Sequence, residues 1–194
     1  IPLRLVGSEM CIRDRYLDRR GGDGGYMVII QVDDFSEVQS NVKENSITVV
    51  WESEHPEARA IHLHPREMGG AILSLDWMNP KESWKWAGPN WGEFVNTSTI
   101  KRFVGVEIQS DDPEAMKNKW QSVLRMPSEN VSDRQINLHN TWIRFVEDED
   151  GRGPGVSAFC LEANDNKSLM KKAVNLGLMH HEDIFIGGVK FLLS

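Results

Sequence analysis

One five-residue pattern occurs three times along this chain, and it constrains the fold more than any other feature. The copies are Ile30-Gln31-Val32-Asp33-Asp34, Ile108-Gln109-Ser110-Asp111-Asp112 and the looser Leu161-Glu162-Ala163-Asn164-Asp165. Each closes an apolar, strand-like run and is followed by a stretch with helical spacing. A repeated unit fixes the architecture before any single residue is read for chemistry. Here it predicts a duplicated strand–helix–strand unit, with a site built where units face each other.

A chain of 194 residues with a formal net charge of -7 is long enough for one fair-sized domain or two small ones with real cores. The acidic balance argues against a nucleic-acid partner, because phosphate binding draws on clustered Lys and Arg. The pair Arg19-Arg20 reads as solvated surface. No apolar run approaches the roughly 20 residues that a membrane helix needs, and no signal-peptide pattern is present. The two cysteines, Cys11 and Cys160, make no disulfide framework. The expectation is a cytoplasmic protein with Cys160 as a buried thiol. Residues 1–15 read as a non-native leader: the run from Val6 to Arg15 resembles translated sequencing adaptor, which places the start of native sequence near Tyr16.

Periodicity sets the rest of the organisation. Residues 26–32 read as a buried strand. Asp34 and Glu37 have capping-box spacing, and Phe35, Val38 and Val42 share a helical face. Strands follow at 47–52, 60–64 and 71–77, the last two joined by a hairpin over 65–70. Residues 78–99 set Trp84, Trp86 and Trp91 among prolines and glycines. That stretch is too apolar for a free linker and is expected to lie across a sheet. In the second unit Asp112 is a natural helix cap with Pro113 at the first helical position. Met116, Trp120, Val123 and Leu124 form the apolar face there, and strands follow at 136–138 and 142–146. The third unit starts near Val156, its helix stops at Gly177, and a hairpin turns over Gly187-Gly188. The fold class is therefore α+β. Its parts are a module at 16–80, a Trp-rich connector at 81–102, and a region at 103–194 made of two shorter βαβ-type units.

The run His64-Pro65-Arg66-Glu67-Met68-Gly69-Gly70-Ala71-Ile72-Leu73-Ser74-Leu75-Asp76-Trp77, taken with Gly24-Gly25-Tyr26-Met27-Val28-Ile29, resembles the glyoxalase-like branch of the vicinal oxygen chelate superfamily. That superfamily includes glyoxalase I, bleomycin-resistance proteins and extradiol dioxygenases. The resemblance implies tandem βαβββ modules, with curved mixed sheets and helices on their outer faces. It also implies a further module ahead of the Gly24-Gly25-Tyr26 strand, so the 16–80 module would pair with that missing module or with a second copy of the chain. In this family a divalent metal (Zn, Fe, Mn or Ni) is held by His and Glu on strands of two facing modules. The metal chelates two vicinal oxygens and stabilises an enolate-like or oxyanionic species. The family's first-strand ligand position matches Met27, Gly105 and Ala158, none of which ligates a hard metal. Its fourth-strand position matches Asp76; the later units offer Arg144 or Glu147, and Lys190, which do not match. A metal site would thus need Asp76, an adjacent His, and ligands from the missing module.

His62 and His64 stand two apart in a strand and so project from one face. That spacing suits two imidazole ligands, or one ligand and one general base, a role that falls to His64. Asp76 on the neighbouring strand completes the candidate metal set His62, His64 and Asp76, provided the hairpin register puts it on their face. Gln31, His62 and Trp77 are the candidate substrate-binding residues. Gln31, Gln109 and Glu162 recur at one place in the repeat, where they would bind polar substrate atoms or simply hydrogen-bond across the sheet. Arg66 and Glu67 read as a turn contact, and His180-His181-Glu182-Asp183 as a solvated charge run in a loop. No nucleophile constellation is present. Two functions follow, both on a small-molecule ligand. One is a metal-dependent lyase, isomerase or dioxygenase acting on a small oxygenated organic molecule. The other is a metal-free module that sequesters such a molecule between indole walls. A fragment inactive on its own is the third possibility.

Overall fold

The computed structural model describes residues 14–194; residues 1–13, most of the expected leader, lie outside the described residues. The threefold repeat has a plain physical origin. The last residue of each copy is the N-cap of a helix, whose first backbone N–H groups have no partner within the helix. The Asp34 carboxylate accepts from the Glu37 N–H at 3.0 Å ahead of α1 (Phe35–Glu44). Asp112 accepts from Ala115 at 2.9 Å ahead of α2 (Pro113–Leu124), where Pro113 occupies the first turn. Asp165 accepts from Ser168 at 3.0 Å ahead of α3 (Asn166–Asn175).

Strands surround these helices in a constant order. The first unit contains β1 (Met27–Gln31), β2 (Val49–His55), β3 (Ala58–Leu63) and β4 (Ile72–Met78). They form a four-stranded sheet in the order β1-β4-β3-β2, with β1 parallel to β4 and the other pairs antiparallel. The second unit contains β5 (Ile100–Ser110), β6 (Val131–Ser132), β7 (Gln135–Asn137) and β8 (Trp142–Glu147). The third contains β9 (Gly155–Ala163), β10 (Met179–His180), β11 (Asp183–Ile186) and β12 (Val189–Leu193). Their first strands, β5 and β9, pair antiparallel and merge the two units into one eight-stranded sheet, β10-β11-β12-β9-β5-β8-β7-β6. The two-residue strands β6 and β10 bring both units to the same β-α-β-β-β order as the first. Strands that short carry no period for sequence reading to detect. His180, expected in a loop, lies in one of them, with its ring 5.3 Å from that of Phe185.

The core lies where α1 and α2 meet between the two curved sheets. Phe35, Val42, Ile61, Leu63, Leu73 and Leu75 from the first unit pack into one cluster with Met116, Trp120, Val123 and Phe145 from the second. Trp120 is completely buried, stands edge-on to Phe145 at 5.7 Å, and donates its indole N–H to the Met68 carbonyl at 2.7 Å. The helix ends are cross-linked by Ser122 to Asn45 and by Arg125 to Glu44.

The reading of Arg20 as solvated surface is corrected by the structure. Residues 14–20 are helical and lie against the chain around Gly25 and 153–155. Arg20 is only 2% exposed and donates to the Gly153 carbonyl at 2.6 Å; the Tyr16 hydroxyl donates to the Gly25 carbonyl. Side-chain-free backbone permits this approach: a Cβ on Gly155 would sit 2.6 Å from the Tyr16 hydroxyl. Among the described residues, no helix is long and apolar enough to cross a membrane.

Trp120 both fills the shared core and satisfies a carbonyl of the other unit. Trp120→Ala should therefore lower unfolding free energy by about 3–5 kcal/mol in urea titrations. A loss under about 1 kcal/mol would show that the indole does not bridge the units.

Candidate functional site

In the first sheet, alternation sends Ile61, Leu63, Leu73 and Leu75 toward α1 and the residues between them toward the opposite, open face. Register then decides which candidates meet. Ala60 pairs with Asp76, His62 with Ser74 and with Trp51, and Gln31 with Asp76. Gln31, His62, Ser74, Asp76 and Trp51 therefore share the open face.

That face is not open to solvent over Asp76. The Trp-rich segment forms three short 3-10 turns, Lys81–Ser83, Lys85–Ala87 and Trp91–Phe94, and lies across it as a strap. The Trp86 indole donates to Asp76 Oδ2 at 2.6 Å. Gln31 Nε2 donates to the Lys81 carbonyl at 2.9 Å, and the Lys85 N–H points at Met78 Sδ at 3.3 Å. Lys85 Nζ pairs with Glu57 at 2.9 Å, and the Trp91 indole ties the strap to itself through the Ser83 carbonyl. Beneath it Ala60, Ser74, Asp76 and Met78 are all no more than 3% exposed. The segment lies across the sheet as expected, but Trp86 and Trp91 stay 44% and 36% exposed.

Asp76 is the centre of the arrangement. Ser74 Oγ donates to its Oδ1 at 2.5 Å, so both carboxylate oxygens accept a neutral donor. Burial raises its pKa above the ordinary 3.8; the Ser74 and Trp86 hydrogen bonds and the nearby His62 pull the other way without cancelling it. The first effect disfavours the anion because low-dielectric surroundings solvate charge poorly. His62 lies against the Trp51 ring, with centroids 4.3 Å apart.

The remaining candidates fall elsewhere. His64 lies beyond the end of β3; its Nδ1 accepts from the Arg66 N–H at 3.1 Å, and it borders a separate cavity of about 140 Å³ with Tyr16, Arg19 and Pro65. Trp77 projects from the opposite face, against the core, with the Arg59 guanidinium 5.6 Å from its ring. One residue of strand alternation separates it from Asp76, so it cannot wall the same trough. The Glu67 carboxylate caps Thr48 through both its N–H and its hydroxyl, which lowers the Glu67 pKa. The recurrent positions bond within the protein, Gln31 to the strap as above. Gln109 gathers Asp148, Asp150 and the Gly153 carbonyl, and Glu162 pairs with Lys101 and Arg102.

The structure does not bring the candidate metal set His62, His64 and Asp76 to one point. A divalent site needs carboxylate lone pairs and imidazole nitrogens converging on one point. Here both Asp76 oxygens are engaged, and His64 is turned to its own turn backbone. Among the described residues, no group of three or more His, Cys, Asp or Glu side chains could hold an ion. The donor set does not fit a divalent metal.

Sequence reasoning passed over a second polar cluster, on the corresponding face of the eight-stranded sheet. Arg144 bonds to Glu107 and Gln135 at 3.2 Å each and lies 4.4 Å over the Trp142 ring. The buried Cys160 thiol nearby is pushed up to about 11, by burial and then by Glu107. Glu107 and Arg144 are register partners on β5 and β8, a pairing that no spacing in the sequence encodes.

Solved structures share this architecture. A 2,2',3-trihydroxybiphenyl 1,2-dioxygenase from Sphingomonas wittichii aligns over 100% of this chain and 87% of its own, with TM-score 0.50 and 12% identity. A variant of 4-hydroxymandelate synthase from Streptomyces coelicolor aligns over 84% of this chain, with TM-score 0.50 and 12% identity. A hypothetical protein from Staphylococcus aureus aligns over 86%, with TM-score 0.53 and 11% identity. These structures share the fold of curved mixed sheets and helices described above. The chain spans 55% of the synthase and 63% of the staphylococcal protein. No family model matches the sequence, and no curated protein matches it.

The raised pKa of Asp76 fixes the sign of a pH effect. The folded state holds this proton more tightly than the unfolded state, so stability is lost as pH rises from the ordinary value of 3.8 through the raised one. Asp76→Asn, which cannot ionise, should gain stability relative to the unmodified protein across that window and keep a constant difference above it. Urea unfolding from pH 3.5 to 7 measures this; a difference that shrinks with rising pH would contradict it.

Proposed function

We propose that this chain binds a small oxygenated organic molecule in the trough of its first sheet, without a metal at that site. The observation that carries the reading is the Asp76 carboxylate. It is buried, raised in pKa and bonded at each oxygen to a neutral donor. Such a group is built to exchange one hydrogen-bond donor for another. A guest hydroxyl would replace the Trp86 indole N–H on Oδ2, with Gln31 and His62 as further polar partners. The Trp51 ring and the strap indoles supply flat apolar walls, which suit aromatic guests. Entry of the guest lifts the strap from Asp76 and breaks the Trp86–Asp76 and Gln31–Lys81 bonds.

A dioxygenase is the second reading, favoured by the likeness to the trihydroxybiphenyl dioxygenase along the entire chain. It requires ligands from outside the His62–Asp76 cluster.

Titration of chelator-treated protein with catechol, followed by tryptophan emission, separates the two. The binding reading expects a saturable change that needs no added metal and that weakens at least tenfold in Asp76→Leu. Saturation only after Fe²⁺, Mn²⁺, Zn²⁺ or Ni²⁺ is supplied would favour the enzyme reading instead.

A further inference from the structure

A second cavity, of about 840 Å³, lies between the first and second units. Val38, Leu124, Met126 and Leu138 give it apolar walls, and Asn41 of α1 lines it. Asn41 is only 3% exposed, and its side-chain oxygen is buried with no hydrogen-bond partner. Its neighbours are otherwise occupied. Asn137 accepts from Gln135 at 2.7 Å, and Arg125 is tied to Glu44 and Glu37 at 2.9 and 3.6 Å.

An unpartnered buried acceptor destabilises a fold, and native structures contain few. Retaining one in the wall of a cavity large enough for an organic molecule gives it a use in recognition. A carboxamide presents an acceptor and a donor side by side. The complementary edge is an N–H beside a carbonyl or ring nitrogen, the pairing by which Asn reads adenine. Charge narrows the choice further. Asp33, Asp34 and Glu37 rim the cavity, Asp33 pairs with Lys81, and the Arg125 cation is already balanced, so an anionic ligand is disfavoured.

We propose that this cavity is a second binding site, for a neutral ring compound with a lactam-type edge that donates its N–H to Asn41. The proposal does not rest on the trough reading, because its recognition group is Asn41; strap and cavity meet at the rim, where Lys81 reaches Gln31 and Asp33.

The test uses 2-quinolone and its N-methyl derivative, which has the same rings and lacks the donor. Ligand-observed NMR titration of the unmodified protein should show 2-quinolone saturating and the N-methyl compound binding at least tenfold more weakly. In Asn41→Leu the two should bind alike, at the weaker level. The Tm of that variant should equal or exceed that of the unmodified protein, since leucine fills the same space with no orphaned oxygen. Equal affinities of the two lactams for the unmodified protein would overturn the proposal. So would no saturation by 2-quinolone at millimolar concentration, or a lowered Tm of Asn41→Leu. The two-lactam comparison on unmodified protein decides the matter even if the variant does not fold.

Discussion

A β-α-β-β-β unit supplies one helix to a four-stranded sheet, so one face of the sheet is packed and the other is left over. In this protein that leftover face carries the candidate site. In the first unit it carries Ala60, Ser74, Asp76 and Met78, all removed from solvent by a strap whose polar anchor is the Trp86–Asp76 hydrogen bond. A carboxylate in such a place must be given donors or a proton, because an unpaired buried charge is costly. Asp76 has been given two donors, and its proton affinity is still raised.

The second and third units meet the same constraint differently. They join first strand to first strand, β5 to β9, and form a continuous sheet of eight strands. Their leftover face holds an engaged ion pair, Glu107 with Arg144, stacked on Trp142. Neither surface presents a converging set of metal ligands among the described residues. The fold is shared with a trihydroxybiphenyl dioxygenase, and a shared fold does not by itself fix the chemistry.

Much of the architecture was legible because it rests on local rules. The three Asp caps, Pro113 at the start of α2, the Gly177 stop and the Gly187-Gly188 hairpin each follow from backbone groups that need a particular neighbour. The open-face position of His62 and Asp76 also followed from alternation, once register was fixed. Trp77 and His64 do not join that face, for physical reasons. Trp77 is adjacent to Asp76 in sequence and so on the opposite face of the strand, and His64 falls just past the strand end, where alternation ceases to aim side chains. Arg20 looked like surface because the glycines that admit it, around 153–155, are more than a hundred residues away. The use of the Trp86 indole as a donor to Asp76, and the orphaned amide of Asn41, depend on tertiary placement that no spacing in the sequence encodes.

The central claim is that the strap seals Asp76 through the Trp86 indole. Solvent exchange of the Trp86 Nε1 proton, followed by NMR, tests it most directly. A hydrogen-bonded indole should exchange at least tenfold more slowly than a free one, and Asp76→Ala should abolish that protection. Exchange of this proton at the free-indole rate in the unmodified protein would mean that the strap does not close over the carboxylate, and the account would fail.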